Sequence, residues 1–257
     1  MKNNMRKILR MVGYLLIVVA IGVFGWDFYI SQKSKAANNE LVDFNNTIIE
    51  NTIPISDDLT AEEKLEISIR QINKEFLAIN SDYIGWIEVP GTNINHPIVL
   101  GRDNDFYLRR NFNRERIRHG SIFMDYRNKP DYSDNHTVIY GHSMRDGTMF
   151  RALDNYKNSS YINGRETFTI RTLKGYRTYR IFSVYLVDAS TTTLDIPANG
   201  MNVRSLIDFY RSKSRYRIDT DTSQADHILS LVSCNYDIEN GRIIVHAVLV
   251  DQNEISD

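Results

Sequence analysis

The sequence predicts a mainly β fold with helical additions, in the form of a closed barrel or a sandwich. From Asp82 onward, short runs rich in Val, Ile, Tyr and Phe alternate with turn residues, and eight of them have the length and composition of strands. At 257 residues with 42% hydrophobic side chains, the chain can bury one substantial core. We therefore expect one folded domain, residues 59–257, preceded by segments of different character.

The amino terminus has the features of a membrane anchor. The run from Met11 to Trp26 is uncharged, and with the aromatic cluster behind it the segment is long enough to cross a ~30 Å hydrocarbon layer. Four basic residues precede it: Lys2, Arg6, Lys7 and Arg10. We expect residues 1–30 to form a cytoplasmic tip and a transmembrane anchor, with the rest of the chain outside. The alternative is a cleaved signal peptide, whose apolar stretch is normally shorter.

The segment between the anchor and the folded domain is polar and rich in Asn. Residues 31–58 predict an extracellular tether, with at most a short helix around 40–49. Thr60 and Glu63 then form a capping-box pattern that begins a helix. Apolar side chains follow at helical spacing, among them Ile69, Ile72 and Phe76, so one face of this helix should pack on the domain.

The eight predicted strands lie in seven stretches of the remaining sequence. The first stretch, YIGWIEVPGTNINHPIVLG, contains two strands joined through Pro90 and Gly91. The other six stretches are GSIFMD, HTVIYGH, ETFTIRT, YRTYRIFSVYLV, DHILSLVSC and RIIVHAVLV. Two helical insertions, Met149 to Tyr156 and Val203 to Ser214, interrupt the series.

Composition excludes several classes of function. The chain carries 31 basic against 32 acidic residues, with no basic block or aromatic-interleaved stripe of the kind that follows a phosphate backbone, so we expect no nucleic-acid partner. Its single cysteine, Cys234, cannot form an intramolecular disulfide, and no Cys/His clustering predicts a zinc site. The acidic residues form no calcium-loop spacing. We expect neither a metal nor a cofactor. Cys234 is either an inert, packed side chain or a reactive thiol.

Cys234 and Arg242 lie eight positions apart, where two apolar strand runs meet a connecting segment. Nucleophilic catalysis by cysteine needs a thiolate, a proton-handling partner and a donor for the oxyanion. Arg242 suits the third role because its guanidinium stays charged and offers several donors. Of the six histidines, His142 is the best candidate for the second role, since it ends a strand run and is followed by a loop. His246 alternates with apolar residues inside a strand and is expected to be structural.

Three segments resemble the active-site segments of the sortases, in the same chain order. They are TVIYGHSM with His142, LSLVSCNYD with Cys234, and GRIIVHAVLV with Arg242. The stretch from Asp82 to Phe112, the amphipathic helix before it and the helix between the sixth and seventh strands are similar to class B sortases in particular. One departure is Val232-Ser233, where many family members carry Thr-x-Thr before the cysteine.

The resemblance implies an eight-stranded sortase barrel and a membrane-anchored cysteine transpeptidase of a Gram-positive cell. Its partners would be secreted proteins with a carboxyl-terminal sorting signal and an amine of a peptidoglycan precursor. Cys234 would be the nucleophile, His142 the acid/base and Arg242 the clamp on the substrate and oxyanion, with the Asn235 amide as a further donor. A tethered cysteine hydrolase and a tethered binding module are the alternatives.

The resemblance also bears on the register of the last two strands. Asn240-Gly241 is a strong signal for a two-residue hairpin turn, which would pair Glu239 with Arg242 and leave Cys234 about 17 Å away along its strand. The function implied requires Cys234 opposite Arg242, where paired side chains lie about 4.5–5.5 Å apart at Cβ. We therefore predict a seven-residue loop, residues 235–241, in spite of the Asn-Gly signal.

Overall fold

Eight strands form a closed barrel in the computed structural model, which describes residues 2–52, 59–190 and 200–255, with side chains from residue 4 to residue 51 in the first range. The strands are β1 (Tyr83–Glu88), β2 (Asn95–Leu100), β3 (Ile122–Met124), β4 (His136–Gly141), β5 (Thr167–Thr172), β6 (Gly175–Asp188), β7 (Ile228–Cys234) and β8 (Gly241–Glu254). Their order around the barrel is β1-β2-β3-β4-β7-β8-β6-β5. The predicted mainly β fold is confirmed, and the chain adopts the barrel of the two predicted forms.

Two of the strand pairs are parallel, β2 with β3 and β4 with β7. Parallel neighbours require a long crossover, and the chain between β4 and β7 supplies one that contains β5, β6 and the helix α3 (Val203–Lys213). Because β4 and β7 run in the same direction, their carboxyl ends lie side by side. The amino end of β8 is antiparallel to β7 and reaches the same end of the barrel.

Side chains on β8 alternate between two apolar clusters, as the two faces of a strand require. Ile243 and Val245 belong to the main core of the barrel, whereas Ile244 packs with the cluster that holds α3. Leu206 and Ile207 bury the apolar face of α3 in that second cluster. The helix predicted at Val203 to Ser214 is therefore confirmed, and the one predicted at Met149 to Tyr156 is a 3₁₀ helix, Phe150–Lys157.

The helix α1 (Lys2–Thr52) continues without a break through most of the segment predicted to be a tether. Its second half packs on the body of the protein. Ile48 is buried, the Phe44 ring lies 5.5 Å from that of Phe76, and the buried Asn45 accepts a 2.5 Å hydrogen bond from Arg171 on β5. The tether prediction is therefore wrong for residues 31–52, because these contacts hold the polar segment in a helix; residues 53–58 lie outside the described residues.

The second helix, α2 (Ala61–Ile79), begins as the sequence predicts. Thr60 accepts a hydrogen bond from the Glu63 amide, and the Glu63 carboxylate accepts one from the Thr60 amide, which completes the capping box. Ile69, Ile72 and Phe76 are buried, as their spacing predicts. Phe76 lies at the centre of an aromatic cluster that joins α1 and α2 to β1.

Buried neutral histidines make the fold sensitive to acid. Burial lowers the pKa of His96 on β2 and of His136 on β4 to about 4, and it also lowers the pKa of His246 on β8. In the unfolded chain these imidazoles take up protons near their ordinary pKa of 6.5. Below that value the unfolded state therefore binds more protons than the folded state, and stability falls as the pH falls towards 4.

We expect His96 and His136 each to remove about 3 kcal/mol from the free energy of unfolding between pH 7 and pH 4. Urea unfolding at a series of pH values measures this loss. His96→Gln removes one titrating group without adding a charge, so it should flatten the slope of stability against pH in this range. An unchanged slope in that variant would contradict the assignment.

Candidate active site

Cys234 and Arg242 face each other across the β7/β8 pair. Cys234 is the last residue of β7, Arg242 is the second residue of β8, and the two are direct partners in the antiparallel register. The predicted register is confirmed, and no two-residue turn pairs Glu239 with Arg242. The connecting loop, residues 235–240, is one residue shorter than predicted because Gly241 already belongs to β8.

The Asn-Gly pair shapes this loop without making a hairpin turn. Asn240 has a φ of 51°, a left-handed conformation that asparagine tolerates better than most residues. The Gly241 amide donates to the Ile238 carbonyl at 3.1 Å. A Cβ at Gly241 would lie 2.7 Å from the Asn235 oxygen, so only glycine fits between the two sides of the loop.

His142 lies beside Cys234 because β4 and β7 are parallel neighbours. Gly141 pairs with Ser233, and His142 and Cys234 are the next residues on strands about 4.8 Å apart. The Ser233 hydroxyl adds a bond across this pair by donating to the Gly141 carbonyl at 2.8 Å. Gly141 has no room for a side chain, since a Cβ there would lie 2.4 Å from Ile122.

The surroundings of His142 keep its imidazole neutral. Nε2 lies 2.7 Å from the Leu108 carbonyl, which can only accept, so Nε2 carries the proton and Nδ1 is the basic nitrogen. Burial lowers the pKa of His142; the hydrogen bond to Leu108 opposes this shift, and the nearby charges of Arg109 and Arg242 add to it. At neutral pH the side chain is therefore ready to accept a proton at Nδ1.

The Arg242 side chain is held by the loop that precedes it. One terminal nitrogen of the guanidinium donates to the Gly241 carbonyl at 2.9 Å and to the Asn240 carbonyl at 3.2 Å. These bonds use one of the two terminal nitrogens and set the orientation of the planar guanidinium. The remaining N–H groups of a guanidinium can then serve an oxygen atom bound between Arg242 and Cys234.

The Asn235 amide does not have the role predicted for it. It donates to the Gly241 carbonyl at 2.9 Å, which extends the β7/β8 ladder by one bond. A backbone N–H has one proton to donate, so in this conformation it cannot also bind an oxyanion. Among the predicted donors, Arg242 is therefore the one positioned for that role.

Polar side chains tie the loop 235–240 to its neighbours. Asp154, on the 3₁₀ helix, accepts from the Asn235 side chain at 2.5 Å, and Lys157 bonds Asp237 at 2.6 Å. The Tyr236 hydroxyl donates to the carbonyl of Ser143, the residue after His142, at 2.8 Å. These contacts join residues 80 or more positions apart, so no local pattern in the sequence indicates them.

The segments that carry this site match a known protein family. A model described as the Sortase domain matches residues 87–250, which include all eight strands except the first residues of β1 and the end of β8. The chain belongs to the sortase family. Within the described ranges, no group of three or more His, Cys, Asp and Glu side chains is arranged to hold a metal ion.

The relatives of this sortase place it in class B. It is 30% identical to Sortase B of Listeria monocytogenes, over 95% of this chain and 99% of the relative, and 30% identical to Sortase B of Staphylococcus aureus, over 96% and 98%. The crystal structure of Clostridium perfringens Sortase B matches with 38% identity and a TM-score of 0.65, over 70% of this chain and all of that one. A Staphylococcus aureus sortase B–substrate complex matches with 26% identity and a TM-score of 0.73, over 88% and 99%. The chain is a class B sortase, and sortases are transpeptidases.

Proposed function

We propose that this sortase cleaves a carboxyl-terminal sorting signal of secreted proteins through a thioester on Cys234 and transfers the acyl group to an amine of a cell-wall precursor. The observation that carries the proposal is that three strand ends meet. Cys234 pairs with Arg242 across β7 and β8. His142 comes directly after Gly141, which pairs with Ser233, the neighbour of Cys234. A nucleophile, a basic nitrogen and a fixed cation thus share one end of the barrel.

The first half of the reaction forms the thioester. The Cys234 proton passes to Nδ1 of His142, and the thiolate attacks the carbonyl carbon of the scissile peptide bond. Arg242 stabilises the negative charge that develops on the carbonyl oxygen. When the C–N bond breaks, His142 returns its proton to the leaving amine, and the acyl group remains on sulfur.

The second half transfers the acyl group. The amine of the cell-wall precursor attacks the thioester carbonyl, and its proton passes to His142. The C–S bond then breaks and releases the thiolate of Cys234, which recovers its proton. The structure of a Staphylococcus aureus sortase B–substrate complex supports substrate binding on this fold.

Product analysis separates transfer from hydrolysis. We expect incubation with a sorting-signal peptide and an amine acceptor to yield a new amide, because the amine competes with water for the thioester. Without the amine, the same peptide should yield only the slower hydrolysis product. A product mixture that stays purely hydrolytic at every amine concentration would identify a tethered cysteine hydrolase instead.

The long apolar helix supports a place at the cell membrane. The helix over residues 4–51 contains an 18-residue window of mean hydropathy 2.3, and none of that window is buried in the protein. The four basic residues before the uncharged run favour a cytoplasmic amino terminus under the positive-inside rule. The barrel would then lie outside, where secreted proteins and cell-wall precursors meet it.

Protease accessibility tests this topology. Protease added to wall-stripped cells should digest the region after Ile30, because that region lies outside the membrane, while a tag on the amino terminus stays protected. Permeabilised cells provide the control, since the tag should be lost there. Recovery of a soluble form that starts near Ala36 or Ala37 would favour a cleaved signal peptide.

A further inference from the structure

Two contacts in the middle of α1 show which part of that helix lies beside the active-site end of the barrel. The uncharged run ends at Trp26, and Asp27 bonds Arg118 at 3.1 Å. Ser31, one turn further, donates to Asp146 in the loop that follows His142. At ~1.5 Å per residue, Ser31 lies only about 8 Å beyond Trp26 along the helix axis. If α1 is the membrane anchor proposed above, the active-site end of the barrel lies at the membrane surface.

A stretch of five arginines lies at this level of the molecule. Residues 109–118 contain Arg109, Arg110, Arg114, Arg116 and Arg118 and one acidic residue, Glu115. The balanced charge of the whole chain conceals this local excess. The stretch is folded as a small antiparallel loop, in which the Ile117 amide donates to the Arg109 carbonyl at 2.9 Å and Arg110 bridges to Arg116.

Two of the five arginines are engaged within the protein. Arg114 forms an ion pair with Asp82 at 3.1 Å, and the guanidinium of Arg110 lies 4.4 Å from the centre of the Phe106 ring. The one acidic residue, Glu115, accepts a hydrogen bond from Asn111. These contacts stabilise the loop.

The other three arginines face solvent. Arg109 and Arg116 are exposed, and neither forms an ion pair with any residue in the described part of the chain. Arg118 is 67% exposed, and its ion-pair partner, Asp27, is 56% exposed, so water screens this pair and a second anion can reach the guanidinium. Like charges crowded on one small loop repel one another unless an anion lies among them.

We propose that Arg109, Arg116 and Arg118 form an arginine surface that binds the anionic headgroups of membrane lipids. A guanidinium binds phosphate oxygens through paired N–H donors, and the height of Arg118 beside Asp27 places the surface at headgroup level. The arginine surface would hold the barrel against the membrane with His142 close to the lipid. This inference rests on the proposed anchor, because α1 brings the loop to the lipid.

Hydrogen exchange of the full chain in lipid nanodiscs tests the proposal. Three arginines near an anionic surface favour the membrane-bound arrangement on the order of 100-fold. The exchange rate of the amides of residues 109–118 should therefore be lower by a factor of about ten or more in nanodiscs of anionic lipid than in nanodiscs of zwitterionic lipid. The effect should disappear at about 1 M salt, where the screening length falls to ~3 Å. A third arm adds inorganic phosphate to zwitterionic nanodiscs and should give no protection.

Two matched variants identify the residues responsible. Replacing Arg109, Arg116 and Arg118 together by Gln should abolish the protection by anionic lipid. The control variant replaces by Gln three exposed arginines on the far side of the barrel and on α3, namely Arg180, Arg204 and Arg217. This variant should retain the protection by anionic lipid. Unchanged exchange in the β7 and β8 peptides shows that both variants fold.

Each outcome separates the arginine surface from the anchor. A chain that enters the nanodisc but exchanges equally in both lipids overturns the arginine surface and leaves the anchor standing. A chain that does not copurify with nanodiscs overturns both. Protection by free phosphate alone would show an anion site that does not depend on a membrane, and protection that persists in the Arg109/Arg116/Arg118 variant would place the lipid contact elsewhere.

Discussion

Replacing Cys234 by alanine should abolish thioester formation and lower turnover of a sorting-signal peptide by at least about 10⁴-fold, because no other side chain can supply the nucleophile. The chain has one cysteine, so mass spectrometry of the intact protein with peptide should show the acyl adduct in the parent and none in the variant. Cys234 lies half-buried at a strand end, and its loss should change the free energy of unfolding by no more than about 1 kcal/mol.

His142→Ala provides the control for this experiment, since it leaves the sulfur in place. Its turnover should fall about 10²–10⁴-fold through the loss of proton transfer, while a small alkylating reagent still labels Cys234. His227→Ala, at a half-buried histidine just before the other end of β7, should behave as the parent. Turnover near the parent level in Cys234→Ala would remove the nucleophile assignment altogether.

Replacing Arg242 by lysine should lower kcat about 10²–10³-fold, although the charge is kept. A lysine cannot both donate to the Asn240 and Gly241 carbonyls in the same planar arrangement and direct further N–H groups towards an oxyanion. Steady-state kinetics with a sorting-signal peptide, together with thermal unfolding of the variant, separates the loss of catalysis from any loss of fold.

The matched control for this prediction is Arg215→Lys, at an exposed arginine that follows α3. It should change neither kcat nor the unfolding temperature. If Arg242→Lys retained normal activity, the positive charge alone would be sufficient and the clamp assigned to the guanidinium would be wrong.

Local patterns predicted most of the fold because strand composition and helix caps are local properties. All eight strand segments and the Thr60 capping box were visible in the sequence, and the structure contains each of them. The segment 31–52 was misread because its helix depends on distant contacts, such as that of Asn45 with Arg171, which lies 126 residues away. Polar composition gives no sign of such support.

The β7/β8 connection shows how long-range pairing decides between two local possibilities. Asn240-Gly241 favours a tight turn, but the register is set by β7, whose seven residues pair with β8 and whose first six also pair with β4. The polar contacts around the loop were not predictable, because Asp154 and Lys157 meet it only after the barrel has closed. The sequence indicated the residues of the site but not the side chains that hold them.

The parallel pairing of β4 and β7 also governs when the enzyme becomes active. Gly141 and Ser233, whose bond sets His142 beside Cys234, are separated by 92 residues of sequence. Contacts of such long range form slowly in folding and only after the intervening chain has been arranged. A chain still being synthesised therefore has no assembled site. Until the barrel has closed, Cys234 has neither His142 nor Arg242 beside it.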